Sequence, residues 1–249
     1  MSAPQTDVLS IKEIAIDDSE DLGAIAFVTI DRPDKLNALN AEVMSSLKDM
    51  VDWVEQTDSI RVVVITGAQP NEPEQGKRAK PNAFVAGADI TEFVGKKSDD
   101  IRKMFADNAV EALWNISKPT IAMVDGFALG GGCEVACSCD LRIASNRSRF
   151  GTPEINLGLI PGYGATQRLV NLLGYGKTME MVMTGEMIDS TDALKWGLVN
   201  HVVEPEQLFD FTMNLAKIIG SKSTHTLKVA KKTIRAALST GLEQGVAIE

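Results

Sequence analysis

Short unbroken apolar runs mark the first part of this chain, and helical spacing takes over after Tyr163. Residues 24–30 (AIAFVTI) lie between Gly23 and Asp31-Arg32-Pro33 and predict a buried strand. Asn40 stands at an N-cap position, ahead of Val43, Leu47, Val51 and Val54 at helical spacing. Residues 61–66 (RVVVIT) predict a second buried strand, ended by Gly67. Residues 68–83 are polar and rich in Pro, Lys and Glu, which predicts a long exposed loop. Apolar structure resumes at once with residues 84–90 (FVAGADI), so the segment is an exposed loop and not a domain linker. Residues 98–116 predict a helix with Ile101, Phe105, Ala109 and Leu113 on one face, ended by Lys118-Pro119. Residues 120–124 predict another buried strand, and residues 126–139 (GFALGGGCEVACSC) open as a glycine turn and become a helix of small residues. Short strands are expected at 141–144 and 148–151, with an extended piece at 199–203. No internal repeat stands out. Strands, then alternation, then helices make an α/β arrangement with a C-terminal helical region.

Charge and composition narrow the function classes. The 249 residues carry a net charge of −9, so the basic face of a nucleic-acid binder is not expected. A local basic patch or a set of backbone N–H groups can still hold a phosphorylated ligand. No run reaches the roughly 18 uncharged apolar residues of a membrane helix. The opening MSAPQTDVLS lacks the basic and apolar regions of a signal peptide. A cytoplasmic protein with no membrane partner is therefore expected. Cys133, Cys137 and Cys139 are too close together for a disulfide framework and lack paired CxxC spacing. They read as small apolar residues on a buried helix, which fits a reducing compartment. His201 and His225 receive no role. Trp114 and Trp196 read as core, and Asp140 and Arg142 as packing or ion-pairing residues.

Three segments carry candidate chemistry. In Ala86-Gly87-Ala88-Asp89-Ile90 a glycine permits a tight bend and the alanines leave room beside the chain. Alone, such a stretch serves packing as readily as ligand binding. In Gly130-Gly131-Gly132-Cys133-Glu134 three glycines run into a helix whose first turn holds a carboxylate. Unpaired N–H groups and the positive end of the helix dipole suit a developing oxyanion there. A plain glycine turn with Glu134 as a favourable first-turn acid explains the same residues equally well. In the third segment Glu154 follows Pro153 and precedes an apolar stretch that leads to Gly162 and Tyr163. Taken alone, Glu154 reads better as a strand-end residue facing solvent than as a buried acid of raised pKa.

Together and in order, these segments resemble the enoyl-CoA hydratase (crotonase) family. The residues that carry the resemblance are Arg32-Pro33 with Asn37-Ala38-Leu39-Asn40, AFVAGADI, KPTIAMVDGFALGGGCEVACSCDLRIAS, FGTPEINLGLIPGYGATQRL and DALKWGLV, spread over nearly the whole chain. A lone GGG or AGAD would mean little, whereas the ordered set is specific. The resemblance implies a crotonase-like (ClpP/crotonase) spiral of ββα units, with a core over residues 1–195 and a C-terminal helical region over 196–249 that takes part in assembly. Within the family the chain is similar to members that hydrate crotonyl-CoA or dehydrate 3-hydroxypropionyl-CoA.

The resemblance also implies roles. Glu134 and Glu154 would be the catalytic acid–base pair, and the N–H groups of Ala88 and Gly131 the oxyanion hole. Lys35, Leu36, Ala38, Ala86, Gly87, Ala88, Asp89, Ile90, Gly130, Gly131, Pro153, Gly162 and Tyr163 would line the substrate and coenzyme A side, with Gly162 near the catalytic water. Tyr163 stands where the family is often small, which would shorten the acyl pocket. Asp125 replaces a common Asn. Lys77, Arg78 and Lys80 form a small basic cluster that reads as a solvated face. Coenzyme A belongs to the substrate, so no separate cofactor is expected, and no metal is needed because the oxyanion donors polarise the thioester. A homotrimer or a hexamer built as a dimer of trimers follows from the family, and no nucleic-acid partner does. Two other readings are a Δ3–Δ2-enoyl-CoA isomerase, disfavoured by the presence of both glutamates, and a non-catalytic RNA-binding relative, disfavoured by the net charge.

Overall fold

The computed structural model describes residues 2–17, 22–73, 76, 78–97, 99–100 and 108–249. Its strands are β1 (Leu9–Ala15), β2 (Ala24–Ile30), β3 (Ile60–Gly67), β4 (Ala83–Ala86), β5 (Thr120–Val124), β6 (Phe127–Leu129), β7 (Leu141–Ser145), β8 (Arg149–Gly151), β9 (Ile188–Asp189) and β10 (His201–Val203). They form a six-stranded sheet in the order β1-β2-β3-β5-β7-β10 and a four-stranded sheet in the order β4-β6-β8-β9. Pairing is antiparallel at β1/β2 and β8/β9 and parallel elsewhere. The successive pairs β3/β4, β5/β6 and β7/β8 each give one strand to each sheet, as the expected spiral requires.

The described helices are α1 (Ala41–Gln56), α2 (Ala109–Asn115), α3 (Gly131–Ser138), α4 (Ala165–Thr184), α5 (Ser190–Lys195), α6 (Leu208–Gly220), α7 (Thr224–Ala236) and α8 (Leu242–Ile248). Asn40 caps α1 as expected, its Oδ1 accepting from the Val43 N–H at 3.0 Å. The large sheet is covered on both sides. Val63 and Ile65 of β3 join a core with Leu47, Met50 and Val54 of α1, while Val62 and Val64 join one with Leu208, Met213 and Ala216 of α6. Two-sided burial is why β2, β3 and β5 read as continuous apolar runs and not as alternating ones.

Three sequence expectations change. Strand β1 was not expected, because only Leu9 and Ile11 of this outer strand are buried and its residues form no apolar run. The glycine turn expected before α3 holds a three-residue strand, β6. The helix expected over 98–116 is interrupted at Asn108, which is extended and caps α2; that helix buries Ala109 and Leu113, while Ser98, Ile101 and Phe105 lie outside the described residues. Helix α3 packs hard onto β4: a Cβ on Gly132 would sit 1.9 Å from the Val85 carbonyl oxygen. Only glycine allows that approach. It brings the first turn of α3 beside the end of β4.

Candidate active site

Three parallel strands of the small sheet end in one row. Ala86 pairs with Leu129, and Leu129 pairs with Gly151. The next residues are Gly87, Gly130 and Thr152, so the three candidate segments leave the sheet side by side at its carboxyl edge. Crevices at that edge are where open parallel sheets bind ligands. The row is laced together, because Gly130 N–H donates to the Gly151 carbonyl at 2.8 Å.

Ala88 forms a parallel bridge to Leu39. In it Leu39 N–H donates to the Gly87 carbonyl at 2.9 Å and Asp89 N–H to the Leu39 carbonyl at 2.7 Å. A residue flanked in this way turns its own N–H to the opposite side of the ladder. Gly131 is the first residue of α3 and so has no acceptor within the helix. Neither amide has a hydrogen-bond partner among the described residues. Two N–H groups from separate turns thus remain available beside each other's strands.

The turn that flanks them is built by Arg32 and Asn37. Leu36 and Asn37 take left-handed φ values of 51° and 57°. Such values strain a branched side chain and are held here by bonds from several strands. Asn37 donates to the Ala68 carbonyl at 3.0 Å and the Ala83 carbonyl at 2.8 Å. Ala86 N–H donates to the Leu36 carbonyl at 3.0 Å. Arg32 pairs with Asp89 at 2.9 Å and donates to the Ala38 carbonyl at 2.5 Å, tying the 35–38 turn to the 86–90 segment. Bonds from Thr91 and Arg32 hold the Asp89 carboxyl below its ordinary range against the opposing pull of burial. Leu36 is half-buried and Ala38 buried, whereas Lys35 and Ile90 face solvent.

Glu134 is fully buried on the first turn of α3. Its Oε1 accepts two hydrogen bonds, from Tyr163 N–H at 2.7 Å and Ala165 N–H at 3.0 Å. Its Oε2 is buried without a partner among the described residues. Burial pushes this carboxyl up to about 7 and the Glu154 charge adds to the rise, while the two amides and Arg168 oppose it. Glu154 is not on a strand end, as its surroundings in the sequence suggest. Pro153 opens a 3-10 turn over Pro153–Leu157 that carries Glu154 inward. Its Oε2 is likewise buried and unpartnered, and burial raises its pKa. A Cβ built on Gly130 would stand 2.9 Å from Glu154 Oε1 and 3.6 Å from the Gly87 Cα. The Glu154 carboxyl therefore lies against Gly130, which itself adjoins Gly87.

Tyr163 packs its ring edge on Gly131, with Cδ2 and Cε2 each 3.6 Å from where a Cβ would be, and Leu39 closes the same side at 3.0 Å. Burial and the nearby Glu134 push the phenol up to about 12. Gly162 is exposed beside it. Most of the expected lining residues thus converge on one place, with Lys35, Ile90 and Gly162 at its solvated margin.

Other expectations resolve outside the row. Lys80 pairs with Asp34 at 2.8 Å, while Lys77 lies outside the described residues. Asp125 is buried and accepts from Arg147 at 2.7 and 2.6 Å and from Ser145 at 2.8 Å. Asp140 pairs with Lys231 and Arg235, each at 2.7 Å, and Arg142 donates to the carbonyls of Leu198, Cys139 and Ala136. Trp114 and Trp196 are half-buried and not core: Arg168 and Arg235 lie over the Trp114 ring at 4.7 and 3.9 Å, and Lys177 lies over Trp196 at 4.2 Å. The sequence reading missed Arg168. Its signal was a cation in step with Ala165 and Leu169 on the apolar face of α4. No described helix is long and apolar enough to cross a membrane.

Known proteins resemble this chain in sequence and fold. The sequence profile described as enoyl-CoA hydratase/isomerase matches residues 20–249. A short-chain-enoyl-CoA hydratase of Clostridium acetobutylicum is 39% identical over 229 residues, spanning 91% of this chain and 84% of its own. A crotonyl-CoA hydratase of Syntrophomonas wolfei is 35% identical, spanning 90% and 83%. Among solved structures, an enoyl-CoA hydratase from Bacillus anthracis superposes with a TM-score of 0.85 at 28% identity, over 97% of this chain and 87% of that one.

Proposed function

Because this chain belongs to the enoyl-CoA hydratase/isomerase family, we propose that it is a hydro-lyase acting on short-chain acyl-CoA thioesters. It adds water to a 2-enoyl-CoA of the crotonyl-CoA type, or removes water from a 3-hydroxyacyl-CoA such as 3-hydroxypropionyl-CoA. Coenzyme A enters as part of the substrate, with no separate cofactor.

The chemistry follows from the charges that move. Attack of water at the β-carbon pushes an electron pair through the α-carbon to the thioester oxygen. The N–H groups of Ala88 and Gly131 stabilise that oxygen, and one such donor is typically worth about 2.7–4 kcal/mol. Glu134 takes the proton from the attacking water. Glu154 gives a proton to the α-carbon, completing addition of H and OH to the same face. Each acid–base role contributes roughly 10²–10⁴-fold. In dehydration the two glutamates exchange roles. Two interacting carboxyls titrate as a pair, which lets one stay protonated while the other is ionised.

One observation carries this reading. The buried Glu134 and the half-buried Glu154, each with one buried carboxyl oxygen lacking a partner among the described residues, adjoin the amides that follow the neighbouring strand ends. The short acyl group is supported by the Tyr163 ring against Gly131 and by the names of the two relatives. Loss of ultraviolet absorbance from crotonyl-CoA on adding the protein tests it. Conversion of a 3-enoyl-CoA alone would make the protein an isomerase. RNA retention without thioester turnover would remove it from catalysis altogether.

The active form is a trimer or a pair of trimers. Apolar side chains left exposed on α7, on α8 and between them, among them Ile234, Leu238, Leu242 and Val246, support assembly. Sedimentation showing only monomer would contradict it.

A further inference from the structure

Catalytic carboxylates need fixed orientation, yet Glu134 is oriented by a backbone turn and not by another side chain. The turn is residues 163–165, whose N–H groups at Tyr163 and Ala165 both grip Oε1. Gly164 between them has φ +100°, and its chain leaves no room for a Cβ, which would meet Arg168 Nη1 at 2.4 Å. A turn of that kind has little stiffness of its own. Something outside it must hold its shape.

Arg168 is placed to do so. It is nine-tenths buried, one turn along α4. Its Nη1 donates to the Tyr163 carbonyl at 2.7 Å, so it grips the other end of the residue whose N–H holds Glu134. Its Nη2 pairs with Glu111 of α2 at 2.7 Å, and its guanidinium lies 4.7 Å from the Trp114 ring centroid. Arg235 of α7 covers the same ring. A cavity of ≈ 710 Å³ lined by Trp114, Arg168 and Arg235 lies on this far side, and none of residues 86–90, 130–131 or 152–154 lines it. A rigid fork with three separate anchors suits a fixed position better than a lysine would.

We propose that Arg168 is a positioning residue for the hydration step: by locking the 163–165 turn it keeps two amides on Oε1 of Glu134 and leaves Oε2 turned to the reacting water. The proposal rests on the hydratase reading for its kinetic arm. It adds a residue that touches no reacting atom and that acts through the Tyr163 carbonyl. Charged and titratable groups around the pair are Glu154, Tyr163, Glu111, Arg235, Arg142, Cys133 and Cys137, with Glu92 beyond Tyr163. Of these, Glu154 raises the Glu134 carboxyl, and Arg168 with the two amides lowers it. Loosening the turn while the site stays dry weakens the two amide bonds and the Arg168 attraction, all of which lower that carboxyl.

The test compares Arg168→Gln and Arg168→Lys in the full chain, with folding checked by circular dichroism and thermal melting. A misplacement remote from the chemistry can cost on the order of a hundredfold, so kcat for crotonyl-CoA in Arg168→Gln should fall roughly tenfold to hundredfold with KM little changed. The acid limb of kcat should move to higher pH, and Arg168→Lys should lie between Arg168→Gln and wild type in both. A second reading needs no turnover: the infrared carboxyl band that disappears in Glu134→Gln should titrate at higher pH in both Arg168 variants. If wild type has no hydratase activity, the functional reading falls while this infrared comparison still decides the coupling. An unmoved titration, or kcat losses that follow only the folded fraction, would overturn the role of Arg168. Should Arg168→Gln not fold, the lysine variant decides by the same two criteria.

Discussion

Replacing Glu134 by Gln should make the protein more resistant to unfolding as pH rises, even as it removes activity. Burial lifts the folded-state pKa of Glu134 from 4.5 to about 7. A raised carboxyl binds its proton more tightly in the folded chain than in the unfolded one. The stability it contributes is therefore fully present below 4.5 and lost as pH climbs through about 7. The difference of about 2.5 units, at about 1.36 kcal/mol each, puts the loss at about 3 kcal/mol. Glu134 is 0% exposed, so solvent does not screen this much. The amide cannot ionise and escapes the loss. Its oxygen can still accept from Tyr163 and Ala165, while its NH2 group, set where Oε2 was unpartnered, lacks an acceptor. That defect costs about 1–3 kcal/mol but does not depend on pH. Urea unfolding of both proteins between about pH 5 and about pH 9, at one fixed protein concentration, separates the two effects. The stability of the variant relative to wild type should rise by about 2.5 kcal/mol across the range, most steeply between about pH 5 and about pH 7, and level off above. Parallel curves, or a variant that loses ground with pH, would refute the argument that Glu134 is held in a desolvated site.

Glu154→Gln should lower crotonyl-CoA turnover roughly 10²–10⁴-fold while leaving coenzyme A binding by calorimetry nearly intact; near-wild-type turnover would remove Glu154 from the reaction. In wild type, kcat for hydration should rise as pH passes upward through about 7, because the base must be ionised, and a flat profile there would speak against Glu134 as the base. Gly130→Ala should cost more activity than its melting temperature suggests, since its Cβ would meet Glu154 Oε1 at 2.9 Å and φ is +52°. Gly176→Ala, with nothing within 4 Å, is its control. Tyr163→Ala should shift preference toward longer enoyl-CoAs, measured as kcat/KM across a chain-length series; an unchanged series would show that another wall sets the length.

What was legible in the sequence follows from burial. Strands β2, β3 and β5 are covered on both faces, so their residues had to be apolar throughout, and the pattern shows it. Strand β1 is half-solvated and β6 is three residues long, and neither leaves such a trace. Asn40 was readable because capping is local, a side chain bonding the amide three residues on. Glu134 was ambiguous alone, since its clamp comes from residues 29 and 31 positions away. Glu154 pointed the wrong way on local grounds, because what turns it inward is a 3-10 turn begun by Pro153 and packed on Gly130. Arg168 was missed for the same reason, its partner Glu111 being 57 residues distant. Local chemistry was visible, and long-range convergence entered only through the resemblance of ordered motifs.

The proposed roles divide the secluded carboxyls of this one chain by how their oxygens are occupied. Asp125 is as secluded as many core residues, yet Arg147, Ser145, Gln69 and Asn82 all donate to it. Burial pulls its pKa up, but these bonds outweigh that pull and hold it below the ordinary carboxylate range. Such a group is fixed in one protonation state over the working pH range and can only hold structure. Lys118 is similarly occupied, its ammonium donating to the carbonyls of Val54 and Thr57 at 2.6 Å each. Glu134 and Glu154 differ in that each keeps one buried oxygen without a partner, and both are shifted toward neutrality. An unpartnered buried acceptor lowers stability. It persists where a transient partner supplies the missing bond. In this site that partner would be water on one carboxyl and the α-carbon proton on the other. The same argument makes the pair separable by substitution: Asp125→Asn should cost stability with little effect on chemistry, because it strips Arg147 of its charge partner and leaves the reacting oxygens alone. Equal losses of kcat at Asp125 and Glu154, measured on fully folded protein, would show that an open oxygen is not what marks a reactive acid here.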